Sequence, residues 1–278
     1  MLTNLRLAQI FAVFRLELKK TFFARRGLWV YLLAFSPLFL FAGHSLTMIH
    51  NKRPCDFGLD TNIFATVFQV FYLRLAVFFG CLGIFMNLFR GEVLDKSLHF
   101  YFLAPIRREV LVAGKFLAGL CVAIVTYCLS TLLQFFALYA HFDSGIVQEY
   151  LWRNNGIQHL LAYLAVTALA CVGYGSVFLA AGILVRNPIY PAAVILIWEA
   201  ANGFLPAVLQ KISVIYYLKS LCPIAVAPQV PPPFSLLAVN PDPISPLLAV
   251  PGLFIVATLV VLWAGSRIWK MEISYGAE

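Results

Sequence analysis

The sequence predicts an all-α integral membrane protein: an N-terminal amphipathic interfacial helix followed by six transmembrane helices, with both termini cytoplasmic. Three observations predict it. Of 278 residues, 62% are hydrophobic and 12% charged, where a soluble domain has roughly 45–50% and about 25%. Half the usual charge cannot coat a water-soluble surface of this size. Six stretches also reach the ~20 mainly apolar residues that cross a bilayer core. Finally, 14 Lys and Arg residues fall in segments on the side of the N-terminus and 5 on the other side, with Arg74 inside a span. That bias places both termini inside by the positive-inside rule. It also accounts for the net charge of +8 without nucleic acid as a partner. Short alternating segments, the mark of a membrane barrel, are absent.

The elements follow in order. Residues 4–24 put Leu7, Ile10, Phe11, Phe14, Leu18 and Phe22 on one arc at about 100° per residue, with Arg6, Gln9, Arg15, Lys19 and Lys20 opposite. A basic amphipathic helix of this kind lies in the cytoplasmic interface, against membrane lipid. The spans are read as 28–48, 63–88, 116–140, 160–185, 189–209 and 247–269. The first starts too far in, and runs too long, for a cleaved signal peptide. Residues 90–113 form the main cytoplasmic segment, 186–188 a tight turn and 141–159 a moderate outer loop. Residues 210–246 form a Pro-rich outer loop: nine of the fifteen prolines lie between 223 and 251, and proline there favours extended chain over helix. No repeat of fixed period appears, so 1–278 reads as a single transmembrane domain.

Catalytic motifs are missing. Gly114-Lys115 is followed by Phe116 and lacks the upstream glycine of a phosphate-binding loop. There is no H-E-x-x-H, no G-x-S-x-G and no acidic metal cluster. The five histidines are scattered, and the six cysteines follow no C-x-x-C or Cys/His spacing. Cys55 and Cys222 fall on the same outer side, which leaves a disulfide open but does not establish its geometry. The chain is therefore expected not to be an enzyme by itself, and to bind no cofactor or metal.

The informative segment lies between spans two and three. Leu94, Leu98, Tyr101 and Phe102 share one helical face, Pro105 stops the helix, and Arg107 and Arg108 restart the chain. An apolar ridge of this kind in the cytosol either packs on the ends of its own spans or meets a partner. Gly91-Glu92, Ser97-Leu98, Leu103, Pro105, Arg108 and Gly114-Lys115 together resemble the coupling region of the ABC-2 type permeases, the six-span membrane subunits of bacterial ABC exporters. Lys96 and His99-Phe100-Tyr101 depart from the usual pattern. The resemblance extends over the whole chain. It implies a bacterial inner-membrane permease working as a dimer with two cytoplasmic ATPase subunits, with ATP and Mg held on those partners. It also implies that Glu92, Leu94, Leu98, Tyr101, Phe102, Pro105, Arg107 and Arg108 couple to the ATPase.

Ionisable residues within spans are costly, and are paired or functional. Counted at 1.5 Å per residue from their nearer span ends, Arg74 and Glu199 reach similar depths near the midplane, so they can form an ion pair or line a pathway, with Asn202 on the face of Glu199. Thr126, Ser130 and Gln134 form a polar stripe that either glues helices or meets substrate. Phe64, Phe68 and Phe71 face either lipid or a greasy path. The leading expectation is an exporter permease. Its rival is a self-contained secondary transporter using Arg74 and Glu199 as a relay, which the missing repeat symmetry disfavours.

Overall fold

A computed structural model of the chain describes residues 2–22, 27–51, 56–94, 103, 106–185, 187, 189–226 and 244–268. Among these, every regular element is helical. The amphipathic segment is α1 (Leu2–Phe22) and the first span α2 (Leu28–Asn51). The second span is one long helix, α3, running from Phe57 to Leu94. It is followed by α4 (Arg108–Tyr139), α5 (Ser144–Arg153), α6 (Gly156–Leu184) and α7 (Ile189–Ala200). The short α8 (Ala207–Gln210), α9 (Val214–Leu221) and α10 (Pro246–Ile268) complete the chain. Five helices, α2, α3, α4, α6 and α10, are long and apolar enough to cross a membrane.

The second and third spans exceed their expected lengths. Asp56 starts α3 six residues early by accepting from the backbone N–H of Gly58 at 2.9 Å and Leu59 at 3.4 Å, which satisfies donors that a helix start leaves orphaned. At the other end α3 runs to Leu94 and α4 begins at Arg108. Both helices therefore take residues from the 90–113 segment. The outer loop 141–159 contains a helix of its own, α5, capped by Asp143 on the N–H of Gly145 at 3.2 Å.

The largest difference concerns the fifth span. A continuous helix over 189–209 is not formed. α7 has 12 residues, about 18 Å of rise against a ~30 Å core. A 3₁₀ turn, Ala201–Phe204, follows it. The break comes from Pro206, which disfavours helical backbone at the preceding residue; Leu205 is accordingly extended, at φ −82° and ψ 151°. The chain then makes α8 and α9 before the Pro-rich segment. α9 packs on α6 and α10, so part of the expected outer loop belongs to the helical bundle. Residues 227–243 of that loop lie outside the described residues.

α6 is the central helix, packed against α3, α4, α9 and α10. In a bilayer, helices gain no hydrophobic drive from meeting one another, so close packing and polar contacts hold them together. Both are visible where α3 widens into a π-helix over Val67–Val77. The Tyr127 hydroxyl of α4 donates to the Ala76 carbonyl there at 3.0 Å, and the Tyr72 hydroxyl donates back to the Tyr127 carbonyl at 2.7 Å. Gly80 makes this approach possible, because a Cβ at that position would overlap the Tyr127 hydroxyl. Of the polar stripe, Ser130 donates to the Ala34 carbonyl of α2 at 2.5 Å, and Gln134 Nε2 donates to Ser130 Oγ at 2.8 Å. Ser130 thus ties α4 to α2, while the bond of Gln134 stays within α4. Phe64 and Phe68 are buried against Tyr163 of α6 rather than facing lipid, while Phe71 is half-buried beside them.

Candidate functional site

At the end of the bundle carrying α1, three charged side chains from three helices are buried together. Lys115 Nζ of α4 lies 2.8 Å from Glu17 Oε1 of α1 and 2.7 Å from Glu92 Oε1 of α3. It also donates to the Leu88 carbonyl at 3.0 Å. All three side chains are essentially inaccessible to solvent. Lys20 bridges Glu92 from outside at 3.0 Å with its own side chain 48% exposed. A cavity of about 110 Å³, bordered by Glu17, Lys20, Tyr31, Asn87 and Gly91, lies beside this cluster. It has room for several water molecules, so Lys20 works in a wetter setting than Lys115.

Local sequence explains the clamp. The buried arc of α1 carries Val13 and Glu17 at i, i+4, and Glu17 therefore turns inward with the apolar residues. Gly114 lets α1 approach α4 closely: a Cβ there would stand 2.8 Å from Val13 Cβ and 3.1 Å from the Ile10 carbonyl. One step on, Lys115 supplies the charge that the two carboxylates require. Glycine and lysine together thus dock the interfacial helix onto the bundle. Neither Glu17 nor the burial of Lys115 was foreseen from sequence. An acid on the apolar arc of α1 was the available signal.

The expected coupling residues are distributed around this clamp. Glu92 is inside it. Arg107 is exposed and precedes α4, its carbonyl accepting from the N–H of Val110 at 3.0 Å and Leu111 at 3.2 Å. Arg108 opens α4 half-buried. Leu103 is 79% exposed. Leu94 closes α3. The Leu94 side chain, Leu98, Tyr101, Phe102 and Pro105 lie outside the described residues, as does Cys55. Cys222 donates its thiol proton to the Leu218 carbonyl.

Arg74 and Glu199 do not form the expected ion pair. Glu199 lies close enough to Arg74 to feel its charge, but its oxygens are engaged elsewhere. Oε2 accepts from Ser213 Oγ at 2.8 Å and from the N–H of Ile215 at 2.9 Å, and Oε1 accepts from the N–H of Val214 at 2.9 Å. The carboxylate caps the N-terminus of α9, where a helix offers unpaired donors and a favourable dipole. Arg74 is half-buried in the π-helical stretch, and its Nε makes no hydrogen bond among the described residues. Asn202 falls in the 3₁₀ turn after α7 and donates to the Gln210 carbonyl at 3.3 Å, inside the fold-back itself. Glu199 lies in the unbroken part of α7, so the depth count stands; what it missed is that the fold-back after Pro206 brings the N-terminus of α9 onto this carboxylate.

Comparison of the chain with protein-family models and with curated proteins gives no match.

Proposed function

We propose that this chain is the permease subunit of an ATP-binding cassette exporter in a bacterial inner membrane. Two copies work with two separate cytoplasmic ATPase chains, which hold ATP and Mg. In this reading the α1 end faces the cytoplasm, and the fold-back of α7, α8 and α9 makes the fifth crossing. The observation that carries it is the buried Glu17–Lys115–Glu92 clamp. The chain between α3 and α4 is the expected contact for the ATPase, and the clamp ties both of its ends to α1. A push on that segment would therefore move α1, α3 and α4 together rather than bend a loose loop, which is what a two-state rearrangement of packed helices requires. Glu92 acts here by positioning the segment, and Arg107 and Arg108 stand at its far end.

The dimer is supported by α7, which exposes Ile189, Tyr190, Val194 and Ile197 and packs mainly on its own following turn. The relay reading loses support because Glu199 has a structural task. Substrate passes between the helices in this proposal, and ATP chemistry stays on the partner.

The test is co-expression with a cognate phosphate-loop ATPase, sought first in the neighbouring reading frame. The two should co-purify, and the chain alone should not hydrolyse ATP. Replacing Leu98 and Phe102 together with Asp should abolish co-purification while the chain still inserts, because charge would enter a desolvated contact. Robust ATP turnover by this polypeptide alone would end the proposal.

A further inference from the structure

At the end of the bundle opposite α1, the fold gathers residues that are far apart in the sequence. His44 ends in the last turns of α2, Asp60 lies in the first turn of α3, and His141 follows α4. His44 Nε2 is 3.3 Å from Asp60 Oδ1, and His141 Nε2 is 2.9 Å from Asp60 Oδ2. One ligand atom from each of the three residues lies within 4.8 Å of the others. The His141 side chain is 1% exposed, Asp60 4% and His44 26%. His44 Nε2, Asp60 Oδ2 and His141 Nε2 are all buried, and none makes a hydrogen bond among the described residues.

The tautomer of His141 follows from its neighbour. Ser45 Oγ lies 2.5 Å from the Ala137 carbonyl and 3.1 Å from the Leu138 carbonyl, so its single proton is committed to them. Toward His141 Nδ1, 3.2 Å away, it can only accept. Nδ1 therefore carries a ring proton, and Nε2 is the atom turned to the carboxylate. His44 Nε2 faces the other oxygen of the same carboxylate. A buried carboxylate between two imidazole nitrogens needs a positive charge among them, which a proton on a ring or a metal ion supplies.

We propose that His44, Asp60 and His141 form a Zn²⁺ site. Two imidazoles and one carboxylate suit zinc, which takes nitrogen at about 2.0–2.1 Å and oxygen at about 2.0–2.2 Å in a tetrahedron. Such a tetrahedron has edges of roughly 3.3 Å, so the three ligand atoms, within 4.8 Å of one another here, would draw together around the ion. The fourth position is left for water on the open His44 side. Ser45 is a positioning residue: its acceptance from Nδ1–H fixes the ring in the manner of an outer-shell partner. The bound ion would staple α2, α3 and α4 together at this end of the bundle. The site stands on these residues alone and does not rest on the exporter reading.

The test uses the full-length chain, purified in detergent, stripped with chelator and titrated with Zn²⁺. One ion should bind per chain and raise Tm, and Co²⁺ in its place should give tetrahedral visible bands without a thiolate charge-transfer band. His141→Ala and Asp60→Asn should each weaken binding by more than the about 10–100-fold expected for the Ser45→Ala variant. His50→Ala, at an exposed histidine, should bind as the wild type does. If Asp60→Asn does not fold, His44→Gln at the solvent edge carries the same expectation. The proposal is overturned if wild-type chain binds no more Zn²⁺ than His141→Ala and Asp60→Asn do, if Tm ignores the ion, or if the Co²⁺ spectrum reports cysteine ligands.

Discussion

Replacing Lys115 with Met should destabilise the chain out of proportion to the atoms changed. The substitution keeps the volume and the helix propensity but removes the charge standing between two buried carboxylates. Unit charges 2.8 Å apart attract by about 6 kcal/mol at an effective dielectric of about 20. Desolvation of each ion offsets several kcal/mol of that, so the intact cluster contributes little net stability. Breaking it differs, because Glu17 and Glu92 would remain buried without the charge that lies between them, at up to about 3–5 kcal/mol. Lys20 relieves only part of this, since it is half in water. For a chain of this size, about 2–4 °C in Tm follows each kcal/mol, so Lys115→Met should melt roughly 10 °C lower in detergent. Removing all three charges (Lys115→Met, Glu17→Leu and Glu92→Leu together) should recover most of the loss, because replacing a whole buried cluster is often near neutral. The assay is thermal melting of the single, double and triple variants as a cycle. A single variant melting within about 2 °C of wild type, or a triple variant worse than the single, would refute the reasoning.

Glu199→Leu should cost about 3 kcal/mol or more, since it strands the buried donors of Ser213, Val214 and Ile215; adding Arg74→Leu should change Tm additively, and a large coupling between them would restore the ion pair.

Membrane helices were legible in the sequence because the bilayer enforces length and apolarity one residue at a time. The expected spans in α2, α3, α4, α6 and α10 all fall on helices the structure contains. Their ends were less legible, since helix starts depend on caps such as Asp56 that lie outside the apolar run. The fifth span failed for a reason already written in the chain. Leu205-Pro206 is a helix stop, but hydropathy averages over it and reports only that the stretch is greasy. A proline is informative about backbone where a hydropathy window is blind to it.

Charged residues show the converse limit. The resemblance singled out Glu92 and the Gly114-Lys115 pair, yet could not say that they meet, because 23 residues separate Glu92 from Lys115 and 98 separate Lys115 from Glu17. The histidines carry the same lesson further. His44, Asp60 and His141 have no ligand spacing, since metal motifs read from sequence require ligands on one turn or loop. Here two helices and the turn after a third supply one donor each, and an antiparallel bundle brings their ends together whatever the intervening length. What sequence did offer was chemical incongruity: an acid on the apolar arc of α1, an aspartate at the mouth of a span, a lysine opening another. In a bilayer each such residue must find a partner or raise the free energy by several kcal/mol. Pairing incongruous residues at equal depth, with helix breaks counted first, is therefore a stronger route to a membrane protein's polar sites than searching for motifs. Arg74 and Glu199 reach comparable depth and still do not pair, because the chain folding back after Pro206 offers Glu199 three donors of its own.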